Sequence, residues 1–441
     1  MRAAFAFHIS GRSKFPTSSF CQANRHRRFR GRSSCYNHRP FAYSTNIHAS
    51  HRILPLERPP DPSYFSRNDT AADDNDARGP TEYVRNQTRI LREWMGEKRS
   101  ILCITGAGIS TESGIPDYRG NNGSYFRGHR PIIHHEYMNS PYHRKRYWAR
   151  SLVGYSPFVN AMPNMGHEAL AVLEAGGYIG VDLGGCDDFD RLGSSCLGQP
   201  VDAIDGKDLA RKISVITQNV DTLHTKAGVR HCLHLHGRGD LIRCMNCGYM
   251  RDRKDYHDEL TRLNRDWLNG ATSGVDGSTG DVIKDGRAEL RPDGDAELNR
   301  GVSYDDFILP PCSRCDDATL HDNEGNSCNK ENSHQERRSF FKTDVVFFGD
   351  SVPKQRFDVS HAAVDAANGI LCIGTSLTVH SAYRLVKRGI ERGIPVAILN
   401  VGETRVEREG LGDRLVTKLQ SPIGETLNGL VGMLDQEKMN K

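Results

Sequence analysis

The sequence predicts an α/β protein with a mainly parallel sheet, interrupted by one smaller module. Three observations support this prediction. Residues 100–105 form a short apolar run that leads directly into a glycine-rich turn at 106–108. Further apolar runs then alternate with stretches of helical periodicity, as in a parallel sheet covered by helices. Between Cys244 and Cys315 the alternation breaks, which indicates an inserted module.

The individual elements follow from the spacing of apolar residues. A strand buried on both faces is a short continuous apolar run, whereas a helix repeats its apolar residues every three or four positions. Strands are predicted at residues 100–105, 213–217, 345–348, 369–373 and 395–400, and helices at 81–95, 167–174, 359–367, 382–392 and 424–434. The order of strand, glycine turn and helix at 100–119 is typical of a Rossmann-like dinucleotide-binding unit.

Four cysteines form two C-x-x-C pairs that flank the inserted stretch. The pairs are Cys244 with Cys247 and Cys312 with Cys315. Each pair can place two sulfurs on one tetrahedral ion, and four thiolates leave no coordination position open for substrate. We therefore predict one structural zinc ion, with a redox pair as the alternative. The nearby Cys328 has no paired partner in sequence and is interpreted as a bystander.

Composition divides the chain into three segments. Residues 1–55 are interpreted as a transit peptide, 56–80 as a linker and 81–441 as one folded domain. Its large Rossmann-like part is predicted at about 81–240 and 340–441, and its zinc module at about 241–339. Stretches 180–208, 270–301 and 321–338 are long and polar, so we expect them to be exposed and disordered.

The positive net charge of the chain belongs to its N-terminus. Residues 1–56 contain nine Arg, one Lys and no acidic residue, which leaves 49 basic against 55 acidic residues in the remainder. An arginine- and serine-rich, acid-free start is typical of organelle import, with a basic tail that binds anions as the alternative. The acidic body argues against nucleic-acid binding, and no apolar run approaches the roughly 18 residues that a membrane span needs.

The glycine turn predicts phosphate binding but argues against hydride transfer. Gly106, Ala107 and Gly108 would let backbone N–H groups approach a phosphate. The spacing to the next glycine, Gly114, differs from the dehydrogenase fingerprint, and no acidic residue follows at the expected strand end.

Six motifs in order resemble the signatures of the sirtuin family. They are residues 106–119 (GAGISTESGIPDYR), 217–224 (TQNVDTLH), 235–237 (LHG), 345–350 (VVFFGD), 374–377 (GTSL) and 399–400 (LN). Cys244 follows the third motif at the usual close distance. Residues 146–150 (RYWAR), with Tyr118 and Asp350, are similar to the class II, mitochondrial branch.

The resemblance implies a chemistry and a role for each motif. Sirtuins transfer the acyl group of an acyl-lysine to the ADP-ribose of NAD⁺ and release nicotinamide. His236 would be the general base, and Val346, Phe347 and Phe348 would line the acyl-lysine tunnel. The implied NAD contacts are Gly106, Ala107, Gly108, Asp117, Tyr118, Arg119, Tyr125, Gln218, Asn219, Val220, Asp221, Gly374, Thr375, Ser376, Asn400, Val401, Gly402 and Ile423.

The predicted function is therefore NAD-dependent protein-lysine deacylation in the mitochondrial matrix, with the plastid less favoured. Its partners would be acylated proteins, without nucleic acid or membrane. Mono-ADP-ribosyl transfer to protein and a catalytically weak NAD-binding regulator remain the alternatives. His234 stands where the family commonly carries an acidic residue, and strand alternation would place it on the same side as His236.

Overall fold

The computed structural model describes residues 80–120, 123–125, 130–184, 212–273, 291–296, 298, 301–317 and 339–440. The predicted transit peptide at 1–55 lies outside the described residues. The linker at 56–80 and the three polar stretches at 180–208, 270–301 and 321–338 lie mainly outside them. No helix in the described part of the chain has the length and hydropathy needed to cross a membrane.

The described chain alternates helices with strands over most of its length. The strands are β1 Ile101–Thr105, β2 Val181–Asp182, β3 Lys212–Ile213, β4 Val215–Thr217, β5 Cys232–His234, β6 Gly237–Cys244, β7 Met250–Asp252, β8 Phe341–Val345, β9 Gly369–Ile373, β10 Val396–Leu399 and β11 Val416–Leu419. The α-helices are α1 Glu82–Met95, α2 His134–Asn139, α3 Pro141–Asn160, α4 Met165–Ala175, α5 Leu223–Lys226, α6 Arg253–Leu263, α7 Arg265–Ser273, α8 Ser313–Asp317, α9 Lys354–Ala366, α10 His380–Glu391, α11 Arg405–Arg408 and α12 Ile423–Met439. A 3₁₀ helix occupies Ala107–Ser113.

The main sheet has six strands in the order β11-β10-β9-β1-β4-β5, and every neighbouring pair is parallel. Strands β1, β9 and β10 are buried along their whole length. Alternate residues of β1 serve opposite faces, because Leu102 and Ile104 join one core cluster while Ile101 and Cys103 join the other. Each buried leucine or isoleucine contributes about 1.5–3 kcal/mol by leaving water. The α/β, Rossmann-like prediction is confirmed.

Two predicted strands differ from the structure. The strand at 213–217 is split at Ser214 into β3 and β4, because β3 pairs with β2 in a separate ribbon. The prediction of a strand at 345–348 is wrong, since β8 ends at Val345. Beyond it the chain leaves the ladder, and Val346 and Phe348 line a cavity. Phe347 also borders the cavity but packs into the core against Tyr137 and Tyr147.

A second, three-stranded antiparallel sheet in the order β7-β6-β8 carries the cysteines. Its core is aromatic, with Trp148 and Tyr256 ring centroids 4.7 Å apart and Tyr256 and Phe341 centroids 5.1 Å apart. The Trp148 indole N–H donates to the Tyr137 hydroxyl over 2.9 Å, which satisfies a buried polar group. This aromatic cluster joins the small sheet to α2, α3 and α6.

The two sheets are joined by a connection of two residues. Strand β5 ends at His234 and β6 begins at Gly237, so only Leu235 and His236 lie between them. Gly237 has φ +88°, and a Cβ there would lie 1.7 Å from the carbonyl oxygen of Asp344. Only glycine can make this turn without moving the return strand.

Candidate active site

A cavity of about 970 Å³ opens beside the carboxyl ends of the central strands of the main sheet. Ligands of open parallel sheets bind at this edge, where the connecting loops diverge. Most of the predicted site residues line it: Gly106, Ala107, Gly108, Asp117, Tyr118, Arg119, Gln218, Asn219, Val220, Asp221, His236, Val346, Phe347, Phe348, Gly374, Thr375, Ser376, Asn400, Val401 and Gly402. The structure therefore brings together residues that are almost 300 positions apart in sequence.

Two glycine-containing loops pack backbone against backbone at the floor of this cavity. The Gly108 N–H donates to the Gly374 carbonyl over 2.9 Å. A Cβ on Gly106 would lie 2.7 Å from Cβ of Thr375, and one on Gly108 would lie 2.8 Å from the Gly374 oxygen. Gly374 has φ +58°, which favours glycine. Because the glycines carry no side chain, a ligand in the cavity can approach the start of the 3₁₀ helix closely, and such a position suits an anionic phosphate.

His236 is held at both ring nitrogens. Its Nδ1 lies 3.0 Å from the carbonyl oxygen of Gln218. Because a carbonyl only accepts, Nδ1 carries the proton and Nε2 carries the lone pair in the neutral ring. The Nε2 atom lies 2.7 Å from Oγ of Ser381. Burial lowers the pKa of His236 to about 4, against the opposing effect of the Gln218 carbonyl. The ring is therefore neutral at physiological pH, as a general base requires.

A buried polar network lies next to the glycine turn. The Ser110 hydroxyl donates to a carboxylate oxygen of Asp221 over 2.7 Å, and the Asn219 amide donates to Ser110 Oγ over 3.0 Å. The Leu223 N–H binds the other Asp221 oxygen at 3.0 Å. Burial raises the pKa of Asp221, although these hydrogen bonds oppose the shift. The network fixes Asp221 and Asn219 at the cavity wall, where they can orient a polar ligand.

Aromatic residues form another wall of the cavity. Tyr118 lies 5.5 Å from Tyr125 and 6.4 Å from Phe348, measured between ring centroids. The Arg119 guanidinium lies 5.1 Å from the Tyr125 ring centroid. Tyr125 does not itself line the cavity but supports Tyr118 and Arg119, which do.

Two further predicted positions lie away from the cavity surface. Ile423 packs behind the Gly374 loop, where its Cδ1 would be 3.0 Å from a Cβ on Gly374. His234 is 1% exposed at the end of β5 and does not line the cavity either. Burial lowers the pKa of His234 to about 4, so it is a neutral residue beneath the site. Direct contact of Tyr125 and Ile423 with a cofactor stays a prediction.

The four predicted cysteine ligands lie together beside the small sheet, at the end of β6, between β6 and β7, and at and just before α8. Their sulfurs are all within 4.8 Å of one another. The Sγ atoms of Cys244 and Cys315 are 3.6 Å apart, and those of Cys247 and Cys312 are 3.7 Å apart. Four sulfurs at about 2.3 Å from a tetrahedral ion would be separated by about 3.8 Å. The arrangement is compatible with one fully coordinated zinc ion.

Sequence reasoning missed several residues that line the cavity. Ser381 and Arg384 belong to α10, and Pro292 and Asp293 belong to a short described turn of the inserted module. The turn is held against α3, since the Arg150 Nε–H donates to the Ala296 carbonyl over 2.9 Å. Ser381 follows the 374–377 motif closely, and this proximity was the available signal. No sequence signal indicated the turn.

Comparison with known proteins gives the class of the molecule. A model of the Sir2 family matches residues 106–181 and 204–381. The chain therefore belongs to the Sir2 family, the sirtuins, and the family resemblance in the sequence is confirmed. A solved complex of a mutant Sir2 homologue with ADP-ribose has the same fold, with a TM-score of 0.50, 23% identity and coverage of 80% of this chain and 98% of that chain.

Individual relatives are more informative than the family as a whole. The chain is 35% identical to the NAD-dependent protein deacylase Sirt4 of Drosophila melanogaster over 327 residues, which span 74% of this chain and 81% of the relative. It is 31% identical to the NAD-dependent protein deacylase SRT2 of Arabidopsis thaliana over 367 residues, which span 80% of this chain and 82% of that relative. The similarity to Sirt4 agrees with the branch indicated by the sequence motifs.

Proposed function

We propose that the protein is an NAD⁺-dependent protein-lysine deacylase. The observation that carries the proposal is His236, a neutral imidazole that lines the cavity together with the two glycine loops and an apolar segment. Bound NAD⁺ would supply an ADP-ribose group that accepts the acyl chain, with release of nicotinamide. Names of the relatives support the same activity.

The dinucleotide would bind along the cavity floor. Its phosphates would lie against the backbone of the turn at 106–108 on one side and against the Thr375 and Ser376 loop on the other. The Gly106 and Gly108 N–H groups are already bound to the Ile373 and Gly374 carbonyls, so these two glycines would contribute close approach and not hydrogen bonds. Asn400, Val401 and Gly402 follow β10 and would contact the adenosine ribose. Larger side chains at Gly106 or Gly108 would collide with the loop that contains Gly374 and Thr375, because the two loops are already in contact.

The reacting end would bind between the polar network and His236. Asp221 and Asn219 are fixed by Ser110 and would orient the nicotinamide and its ribose. His236 would take a proton from a ribose hydroxyl at Nε2 while Nδ1–H remains bound to Gln218. A positioned base contributes about 10²–10⁴ in rate.

The acyl-lysine would enter beside Val346, Phe347 and Phe348. The Val346 N–H is bound to the His236 carbonyl over 2.8 Å, so this segment and the base share one hydrogen-bonded unit. An extended peptide could add to the segment by backbone pairing, while its acyl chain lies on the apolar wall. Zinc at Cys244, Cys247, Cys312 and Cys315 would stabilise the small sheet without joining the chemistry.

The acid-free leader at 1–55 supports a further proposal, delivery to the mitochondrial matrix. An import assay with isolated mitochondria tests it, because the imported chain should shorten at a site near residues 40–55. An imported chain of unchanged length would oppose a cleaved transit peptide.

The activity is tested by incubating the purified chain with NAD⁺ and peptides that carry different acyl-lysines. Peptide mass and nicotinamide release are followed together. Loss of the acyl mass with equal nicotinamide release is the expected result. Gain of an ADP-ribose mass would instead favour the transferase alternative, and NAD⁺ binding without turnover would favour the regulator.

A further inference from the structure

Ser381 contacts the atom of His236 that must act as a base. It is the second residue of α10, and its Oγ lies 2.7 Å from Nε2 of the imidazole. Both side chains belong to the cavity wall. None of the sequence motifs indicated this contact, since Ser381 lies beyond the last residue of the 374–377 motif.

The direction of this hydrogen bond follows from the other side of the ring. Nδ1 faces the Gln218 carbonyl at 3.0 Å and therefore carries the proton. The Nε2 atom of the neutral ring can then only accept, so the Ser381 hydroxyl is the donor. A donor at Nε2 stabilises the neutral ring, because protonation of Nε2 would remove the acceptor.

We propose that Ser381 is a positioning residue for the general base. It holds the imidazole by Nε2 while the cavity is free of substrate, and its hydrogen bond to that atom favours the neutral ring. A ribose hydroxyl then replaces the serine at Nε2 and donates its own proton to that nitrogen. The exchange of Ser381 for a ribose hydroxyl rests on the proposed function. The effect of Ser381 on the pKa of His236 does not, because it needs no substrate.

Charged groups around the ring also influence its protonation. Burial and Arg356 of α9 both disfavour the imidazolium. Other charged or titratable groups also line the cavity or pair with these residues: Asp117, Arg119, Asp221, Asp293, Lys342, Asp344, Asp350, His380, Arg384 and Glu403. All of them remain in a Ser381→Ala variant. A difference between this variant and the parent chain therefore reports the hydroxyl itself.

The first experiment is an NMR titration of the full chain carrying ¹³C-labelled histidine. A His236→Gln variant identifies the His236 resonance. Ser381→Ala should raise the pKa of His236 by about 0.5–1, in line with the loss of one hydrogen bond to the neutral ring. Ser381→Thr keeps the hydroxyl and should restore the parent value. Ser156→Ala, an exposed substitution in α3, is the matched control and should leave the titration unchanged.

An unchanged His236 pKa in Ser381→Ala would overturn the proposal. The titration needs no substrate, so it remains decisive even if no acyl peptide is turned over. In that case a raised pKa would support the role of Ser381 while the deacylase proposal failed.

The second experiment is the pH profile of kcat/KM. In Ser381→Ala the acidic limb of the profile should move to higher pH by the same amount as the pKa of His236. The plateau value of kcat should stay within about fivefold of the parent, since the Gln218 carbonyl still holds the ring at Nδ1. A fall in kcat of about 100-fold or more would instead identify the serine as a proton relay and overturn the positioning role.

Discussion

The main sheet and the cysteine-bearing sheet are stabilised in different ways. Strands β1, β9 and β10 are buried on both faces by aliphatic side chains, and helices cover each face. The small sheet has three strands with partly exposed residues, an aromatic cluster on one side and four clustered thiols. We therefore expect apolar burial to dominate the stability of the first sheet, and a zinc ion at the four thiols to add to the stability of the second.

The proposed catalytic base belongs to neither sheet alone. His236 lies in the two-residue connection between β5 and β6, and its carbonyl binds the Val346 N–H where the chain returns from the small sheet. The loops proposed to bind the dinucleotide follow strands of the main sheet. We therefore expect that NAD⁺ binding and turnover can be separated experimentally by perturbing one sheet at a time.

The largest effect should come from removing zinc. Chelation or Cys244→Ala should abolish zinc binding and expose the backbone of β6, β7 and β8 to hydrogen exchange, because structural zinc sites contribute about 10–16 kcal/mol in small modules. Amides of β1 and β9 should stay protected. Elemental analysis and exchange mass spectrometry measure both outcomes.

Cys328→Ala is the control for this experiment, since Cys328 lies outside the described residues and has no paired cysteine in sequence. It should retain zinc. Equal loss of protection in both sheets after chelation would contradict the separation of their stability.

The connection itself can be tested with His236→Ala. Turnover should fall by about 10²–10⁴ while NAD⁺ affinity changes by less than about threefold, because the base acts on the reacting ribose and the phosphate loops are elsewhere. Nicotinamide release and calorimetry separate the two quantities. His143→Ala in α3, a half-buried histidine outside the cavity, should be almost neutral. Turnover close to that of the parent would refute the role of His236.

A substitution at Gly374 should affect the main sheet's binding function. Gly374→Ala places a Cβ 2.5 Å from the Ile109 nitrogen at φ +58°, so the two glycine loops must separate. We expect NAD⁺ to bind at least about tenfold more weakly and the free energy of unfolding to fall by about 1–3 kcal/mol. Isothermal calorimetry and denaturant unfolding provide the measurements.

Gly432→Ala is the matched control in α12, where a Cβ meets nothing within 4 Å. It should stabilise the chain by about 0.5–1 kcal/mol. Normal NAD⁺ affinity in Gly374→Ala would mean that the loops do not hold the phosphates.

The smallest effect concerns acid stability of the main sheet. Burial would raise the pKa of Glu174, but hydrogen bonds from His231 and the Arg230 N–H outweigh burial and lower it to about 2. A carboxyl with a depressed folded-state pKa stabilises above its ordinary pKa of 4.5 and loses that contribution as pH falls towards 2. Glu174→Gln should therefore cost about 1–2 kcal/mol at pH 7 and less at pH 3.

Urea unfolding at several pH values measures this loss. Glu168→Gln, exposed on the same helix α4, should show no comparable pH dependence. A Glu174→Gln penalty that persists unchanged at pH 3 would indicate a packing effect instead of an electrostatic one.

Secondary structure was predicted best where a continuous apolar run could only be a strand buried on both faces. Strand β9 was predicted with its observed ends, because all its residues are apolar and both faces are covered. The apolar run at 345–348 was wrongly predicted as a strand, since a cavity wall and the core of a strand need the same apolar side chains. Local patterns could not indicate Asp293 or Ser381. Asp293 reaches the cavity through a turn of the inserted module, and a single serine after a motif has many ordinary uses.

Gly237 limits how the inserted module of this chain can be exchanged. A side chain at this position would collide with the Asp344 carbonyl 1.7 Å away, so the crossing point of the outgoing and returning segments tolerates no bulk. A chimera that exchanges the whole cysteine-bearing insert must therefore keep this glycine and the opposing carbonyl together. Insertions of very different length can be accepted beyond that crossing, provided that the returning segment keeps the Val346 N–H on the His236 carbonyl.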